Sequence, residues 1–161
     1  MEEDSYTIRP AKLQEAEEVA AIWALMAEEH KTYDDDFWCW DKNAVETWRE
    51  RFKELLEQQD MVTLVAEASS GGLAGFAVAA VKAAGSAVFS RPRGEVWDLV
   101  IRPEHRGKGL GSRLMEAVFE SLKALGVEEA VLHVALANPT AIRFYEKLGM
   151  RPVMYRMYKR L

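Results

Sequence analysis

Six consecutive residues, Arg106-Gly107-Lys108-Gly109-Leu110-Gly111, combine three glycines with two cations. Glycines let backbone N–H groups converge without Cβ interference, and donors at the start of a helix sit where the dipole favours negative charge. The chemistry open to such a turn is the grip of a phosphate. Two common phosphate loops do not fit. No register supplies the spacing between Gly and Gly-Lys-Ser/Thr that a Walker loop needs. A dinucleotide fingerprint started at Gly109-x-Gly111 would put its third glycine on Leu114.

What remains is Arg106-x-x-Gly109-x-Gly111. Downstream, the β-type run Val131-Leu132-His133-Val134-Ala135-Leu136 leads into Asn138-Pro139-Thr140-Ala141-Ile142-Arg143-Phe144-Tyr145-Glu146-Lys147-Leu148-Gly149. Physically this is a strand, an Asn helix cap with Pro at the first helical position, a short helix and a Gly stop. Together the two stretches resemble the signatures of the GCN5-related N-acetyltransferase (GNAT) family. One is an R/Q-x-x-G-x-G/A loop that holds a pyrophosphate; the other is Asn-x-x-Ala-x-x-x-Tyr-x-x-x-Gly ahead of a closing strand. Ile8-Arg9-Pro10-Ala11 is similar to the family's opening strand. The resemblance covers the whole chain, with residues 20–60 matching only in outline.

The resemblance implies acetyl-CoA as co-substrate, no metal, and direct transfer of an acetyl group to an amine, either a cationic small molecule or a peptide or protein amine. The alternative on the same fold is a non-catalytic acyl-CoA sensor or partner subunit. An alkylamine has a pKa near 10.4, so only about one molecule in 10³ to 10⁴ is neutral at pH 7, and some group must take its proton. The departing thiolate in turn benefits from an acid. By resemblance that acid is Tyr145, although its helical spacing with Ile142 and Leu148 also suits a core aromatic. Asp98 and Glu95 are the candidate bases, acidic residues in a strand expected mid-sheet, where an unpaired carboxylate is costly. Glu67 on a neighbouring strand is a further carboxylate. Strict alternation would put Glu95 with Trp97, Leu99 and Ile101 on one face, and Asp98 with Val96 and Val100 on the other.

The same resemblance implies that Leu99, Val100 and Ile101 offer backbone groups to the pantetheine, with the Leu99 or Val100 amide as oxyanion donor. Arg106, Gly107, Lys108, Gly109, Leu110, Gly111 and Ser112 would hold the pyrophosphate, chiefly through backbone amides, and Asn138 would contact the cofactor or cap its helix. Glu28, Glu29, Asp34, Asp35 and Asp36 lie beside Tyr33, Phe37, Trp38 and Trp40. Such a mixture suits a cationic amine, or else is an acidic loop whose aromatics pack inward. His30 and His133 have no metal-like spacing.

These groups need a scaffold, and periodicity supplies one. A strand near residues 6–9 precedes a helix carrying Leu13, Ala16, Val19, Ala20, Trp23, Ala24 and Met26 near one face. A second helix is expected over residues 42–59, burying Val45, Trp48, Phe52, Leu55 and Leu56. Residues 61–68 and 73–81 read as a hairpin through Ser69-Ser70-Gly71-Gly72. Residues 83–92 are turn-rich. A strand ending at Ile101, a helix with Leu110, Leu114, Val118 and Leu122 inward, a strand over 131–136, a short helix and a closing strand over 152–159 complete the chain. The order β-α-α-β-β-β-α-β-α-β implies an α/β fold. By resemblance it is GNAT-like, with a mixed, mostly antiparallel central sheet flanked by helices.

Composition agrees with one domain over residues 1–161: 49% hydrophobic and 29% charged residues describe an ordinary globular chain. A net charge of −5 argues against broad nucleic-acid binding. No apolar run spans a bilayer, and Met1-Glu2-Glu3-Asp4 is acidic where a secretory signal is basic. The single Cys39 cannot form an internal disulfide, which points to a reducing cytoplasm. A homodimer is compatible with exposed aromatics such as Trp38 or with the final strand.

Overall fold

In the computed structural model, which describes residues 5–85 and 90–161, five strands form one sheet. They are β1 (Tyr6–Pro10), β2 (Met61–Ala68), β3 (Leu73–Lys82), β4 (Arg93–Ile101) and β5 (Ala130–Leu132). Their spatial order is their chain order, antiparallel throughout except for the parallel β4–β5 pair. Met1-Glu2-Glu3-Asp4 and residues 86–89, part of the expected 83–92 connection, lie outside the described residues.

Four helices cover the sheet: α1 (Ala16–Lys31), α2 (Ala44–Leu55), α3 (Leu110–Ala124) and α4 (Pro139–Lys147). On one face Val19, Ile22, Trp23, Phe52 and Leu55 pack on Val65, Phe76, Val78 and Val100. On the other, Leu114, Met115, Val118 and Leu122 pack on Val62, Leu64, Ala77, Ala79 and Val96. Sandwiched between the two layers, β3 is buried from Leu73 to Ala80. This accounts for its nearly unbroken apolar sequence, since a strand covered on both faces has no polar side.

Two glycines allow the tight packing. A Cβ on Gly94 would meet Leu122 Cδ1 at 2.4 Å, and one on Gly75 would meet the Val100 carbonyl oxygen at 2.5 Å. The mixed sheet and the hairpin at residues 69–72 match the sequence expectation. The second helix is shorter than expected, starting after Asn43 and leaving Val45 exposed.

The larger difference is at the C-terminus. The expected closing strand over 152–159 has no partner in the sheet, and residues 151–161 are exposed throughout. β5 is also cut to three residues, because the chain turns at Leu136 towards the Asn138 cap. A strand this short offers little ladder to a neighbour.

Candidate active site

The site begins with an irregularity in β4. Val78 pairs with Asp98 and Ala79 with Val96, so Trp97 is an extra residue with no partner on β3, a β-bulge. The bulge resets the alternation. Glu95 lies opposite Ala80 and Asp98 opposite Val78, so both carboxylates share the face covered by α1 and α2. Val96, Leu99 and Ile101 share the α3 face. This corrects the strict alternation expected from sequence, which separated Glu95 from Asp98.

Past the bulge, β4 loses its other neighbour. β5 pairs only with Gly94, Glu95 and Val96, and its chain departs after Leu132. The edge of β4 from Trp97 to Ile101 therefore opens onto a gap where a further ladder could form. Backbone groups without partners in such a gap must find them in water or a ligand.

Asp98 lies at this gap beneath two stacked indoles, Trp23 from α1 and Trp48 from α2, with ring centroids 5.5 Å apart and planes 18° apart. Burial pushes its carboxyl up to about 7, and hydrogen bonds from the two indoles work in the opposite direction, favouring the anion. Tyr145 reaches the same region from α4. Burial, together with the nearby Asp98 charge, raises its phenol to about 12. The Asp98 anion thus opposes ionisation of Tyr145. Glu95 faces Lys82 at 3.9 Å, and Glu67, two strands away on β2, is tied to Arg9 at 2.9 Å.

The loop after β4 forms a cup at the N-terminus of α3. Gly107 and Gly109 have φ of +76° and +74°, a conformation that side chains resist. No turn or loop backbone bond among the described residues uses the N–H groups of Gly107, Lys108 or Gly109. Those of Leu110, Gly111 and Ser112 open the helix, where no intrahelical acceptor exists. Behind the cup, Tyr6 Oη meets His105 Nδ1 at 3.0 Å and fixes the loop to β1.

Arg106 is more constrained than an exposed loop cation. Its Nε donates to the Ile101 carbonyl at 2.9 Å and its guanidinium pairs with Glu29 of α1 at 3.0 Å. Tyr33 also donates to Glu29 at 3.0 Å, and Asn138 bonds to the Tyr33 hydroxyl. Asn138 Oδ1 in turn accepts from the Ala141 N–H at 3.0 Å, capping α4. One chain of contacts thus joins the cup, the end of α1 and the start of α4.

Comparison with known proteins agrees with this geometry. Residues 15–150 match the model of the Acetyltransferase (GNAT) family. The chain belongs to that family. Over 100 residues it is 39% identical to serotonin N-acetyltransferase 2, chloroplastic, of Oryza sativa subsp. japonica, covering 62% of this chain and 46% of that protein. A 90-residue stretch, 56% of this chain and 28% of the relative, is 38% identical to mycothiol acetyltransferase of Propionibacterium freudenreichii. These matches span less than half the length of the curated relatives. Among solved structures, the tetramutant of a Bacillus halodurans protein superposes with a TM-score of 0.86 at 26% identity, covering 96% and 99% of the two chains. An aminoglycoside N-acetyltransferase in complex with CoA gives 0.74 at 18% identity, covering 99% and 97%, a likeness of fold.

GNAT proteins use acetyl-CoA. In this chain the cup clusters N–H donors, and the edge of β4 from Trp97 to Ile101 bears backbone groups that β5 does not take up. Among the described residues, no three His, Cys, Asp or Glu side chains gather as metal ligands. No helix of the described residues is long and apolar enough to cross a membrane.

The acidic stretch after α1 is largely engaged within the protein. Glu28 pairs with Lys31 at 2.6 Å, Asp34 accepts from the Phe37 N–H at 3.0 Å, and Asp36 pairs with Arg160 at 3.1 Å. Its aromatics pack inward: Trp38 stacks on Trp40, and Trp40 meets Trp23 edge-on. Sequence periodicity marked Trp23 and Trp48 only as core residues. Their contact with Asp98 depends on the bulge and on the crossing of two helices, which no local pattern announces.

Proposed function

We propose that this chain transfers an acetyl group from acetyl-CoA to an amine, with Asp98 as general base and Tyr145 as the acid. The observation that carries the proposal is the bare edge of β4 from Trp97 to Ile101, with the donor cup at one end and Asp98 and Tyr145 beside it. Acetyl-CoA supplies an activated thioester carbonyl. The chain must orient that carbonyl and move two protons.

Leu99, Val100 and Ile101 offer backbone pairing along the gap, and the N–H of Leu99 or Val100 is the donor assigned to the carbonyl oxygen. The cup amides and Arg106 hold the diphosphate. An ordinary carboxylate is poorly matched to an ammonium proton, about 6.5 pKa units apart, or roughly 9 kcal/mol. At about 7, Asp98 roughly halves that mismatch and remains substantially ionised near neutral pH. Tyr145, at about 12, lies roughly 5 kcal/mol uphill of protonating a thiolate. Proton uptake by Asp98 removes the charge that helps hold Tyr145 so high. The two transfers therefore run in order, Asp98 accepting first and Tyr145 Oη donating second. Glu95, with Lys82 beside it, shapes the field on the same face.

A small cavity of about 180 Å³ beside α1, walled in part by Trp23, Trp40, Glu28 and Asp41, shares Trp23 with Asp98 and marks the side of acceptor approach. A cytoplasmic setting, where the exposed Cys39 stays a thiol, suits this chemistry. The test is to incubate purified protein with acetyl-CoA and a panel of arylalkylamines, amino sugars and peptide N-termini. Thiol release and acetylated products are then followed by mass spectrometry. Product with at least one class supports the proposal; tight CoA binding without release across the panel would replace it with a sensor.

A further inference from the structure

Beyond Asp98, the face that carries it changes character. Asp98 stands opposite Val78, Glu95 opposite Ala80 and Arg93 opposite Lys82, so all of these residues share one face. The helices bury Val78, but further along the side chains of Lys82 and Glu95 are 49% and 26% exposed, and Trp97 is 38% exposed. Trp97, the extra residue of the bulge, sets its ring against the Lys82 ammonium, 4.8 Å from Nζ to the ring centroid. Such a ring face holds a cation in place by its quadrupole. Glu95 Oε2 lies 3.9 Å from the same Nζ, beyond hydrogen-bond reach. Lys82 is therefore positioned while its N–H donors stay available to a ligand. Two cations, Lys82 and Arg93, stand here with one carboxylate, in a chain of net charge −5. The acids after α1, by contrast, are engaged with Lys31, the Phe37 N–H and Arg160.

We propose that Lys82 binds a carboxylate carried by the acceptor, so that the substrates are amines bearing a carboxylate at the end of a spacer. The inference rests on the transfer reading above, in which Asp98 takes the proton of the reacting amine. Geometry sets the spacer. Side chains on one face of a strand stand roughly 7 Å apart, which puts Lys82 Nζ, drawn towards Glu95, on the order of 7–10 Å from the Asp98 carboxylate. An amine and a carboxylate joined by about five methylenes cover that span when extended. Charge sets the sign. Lys82 and Arg93 against Glu95 leave one net positive charge, which suits a monoanion, and Glu95 repels the second charge of a phosphate. A diamine is disfavoured, because its far ammonium would meet Lys82.

The test compares ε-aminocaproate with ε-aminocaproamide, which lacks only the negative charge, and with cadaverine, which ends in a second cation. Thiol release from acetyl-CoA is measured with each, and each is titrated calorimetrically into the protein with saturating CoA. The carboxylate should bind at least ~5-fold more tightly than the amide, with the difference in KM rather than kcat, and cadaverine should bind most weakly. Lys82→Met should bring the ratio of carboxylate to amide close to unity, Lys82→Arg should keep it, and Lys82→Glu should invert the order in favour of cadaverine. If Lys82→Met folds poorly, Lys82→Gln is read in the same way. Preferential binding of the carboxylate without thiol release from any amine would sustain the anion site and overturn the transfer reading. Turnover with equal kcat/KM for carboxylate and amide would sustain transfer and overturn this inference. A preference that survives in Lys82→Met, or no binding of any of the three up to about 10 mM, overturns it as well.

Discussion

Replacing Asp98 with Asn should make the protein more stable and inactive, and the stability gain should depend on pH. The Asp98 carboxyl sits near 7 in the folded protein, against 3.8 ordinarily. With the folded pKa above the unfolded one, the fold carries no penalty below pH 4. It loses stability as pH rises towards 7, and above that the loss is constant. The full loss is roughly 4 kcal/mol, at about 1.4 kcal/mol per pH unit. Asn keeps an acceptor for the two indoles but must bury its own amide, which costs about 1–3 kcal/mol. The expected net gain at pH 8 is therefore about 1–3 kcal/mol, a rise of several degrees in Tm for a chain of this size. Urea unfolding of both proteins at intervals from pH 4.5 to 8 checks it. Acetyl transfer by the wild type should rise with pH and level off above about 7, and the variant should lose at least ~100-fold in kcat. A stability difference that is the same at pH 5 and pH 8 would refute the desolvated carboxylate, and a variant with near wild-type turnover would refute the base.

Four further outcomes follow from the same geometry. Tyr145→Phe should lower kcat at least several-fold while CoA affinity, measured by calorimetry, barely moves, since only the hydroxyl is lost. Trp48→Phe keeps a ring stacked on Phe52 and tilted against Phe76 but removes one N–H that favours the Asp98 anion; the rising limb of the pH–rate profile should move up by ~0.5–1 unit. Gly109→Ala meets no neighbour within 4 Å but must hold φ at +74°, so unfolding titrations should show a loss of about 1 kcal/mol and CoA binding should weaken several-fold. Gly75→Ala presses a methyl against the Val100 carbonyl and Ile101, and chemical denaturation should show a loss of about 1–3 kcal/mol or more.

Much of this molecule was legible in its sequence because the relevant signals are local. The apolar spacing of Leu110, Leu114, Val118 and Leu122 fixed the buried face of α3, and these side chains are buried as expected. Asn138 and Pro139 announced the start of α4, and the glycine-rich run announced the turn that opens α3. What was not legible depends on pairing between distant segments. The bulge at Trp97 exists because β3 and β4 differ by one residue between two ladders, and neither strand alone reveals it. The Trp23–Trp48 clamp needs α1 and α2 to cross above that bulge. The link from Arg106 to Glu29 joins residues 77 positions apart in the chain. The unpaired C-terminal stretch has a strand's alternation, and alternation does not say which edge, or whose, it will meet.

The extra residue at Trp97 also restricts how this part of the chain can vary. With period-two geometry, pairing Trp97 regularly with Val78 would erase the offset, set Asp98 opposite Ala77 and rotate the carboxylate into the α3 layer, among Leu114 and Val118, where no indole awaits it. Inserting one residue beside Trp97 would have the same effect on Asp98 and would carry Leu99 and Ile101 across the sheet the other way. Register here matters as much as residue identity: a slip of one position between β3 and β4 would disarm the centre while leaving every side chain in the protein unchanged.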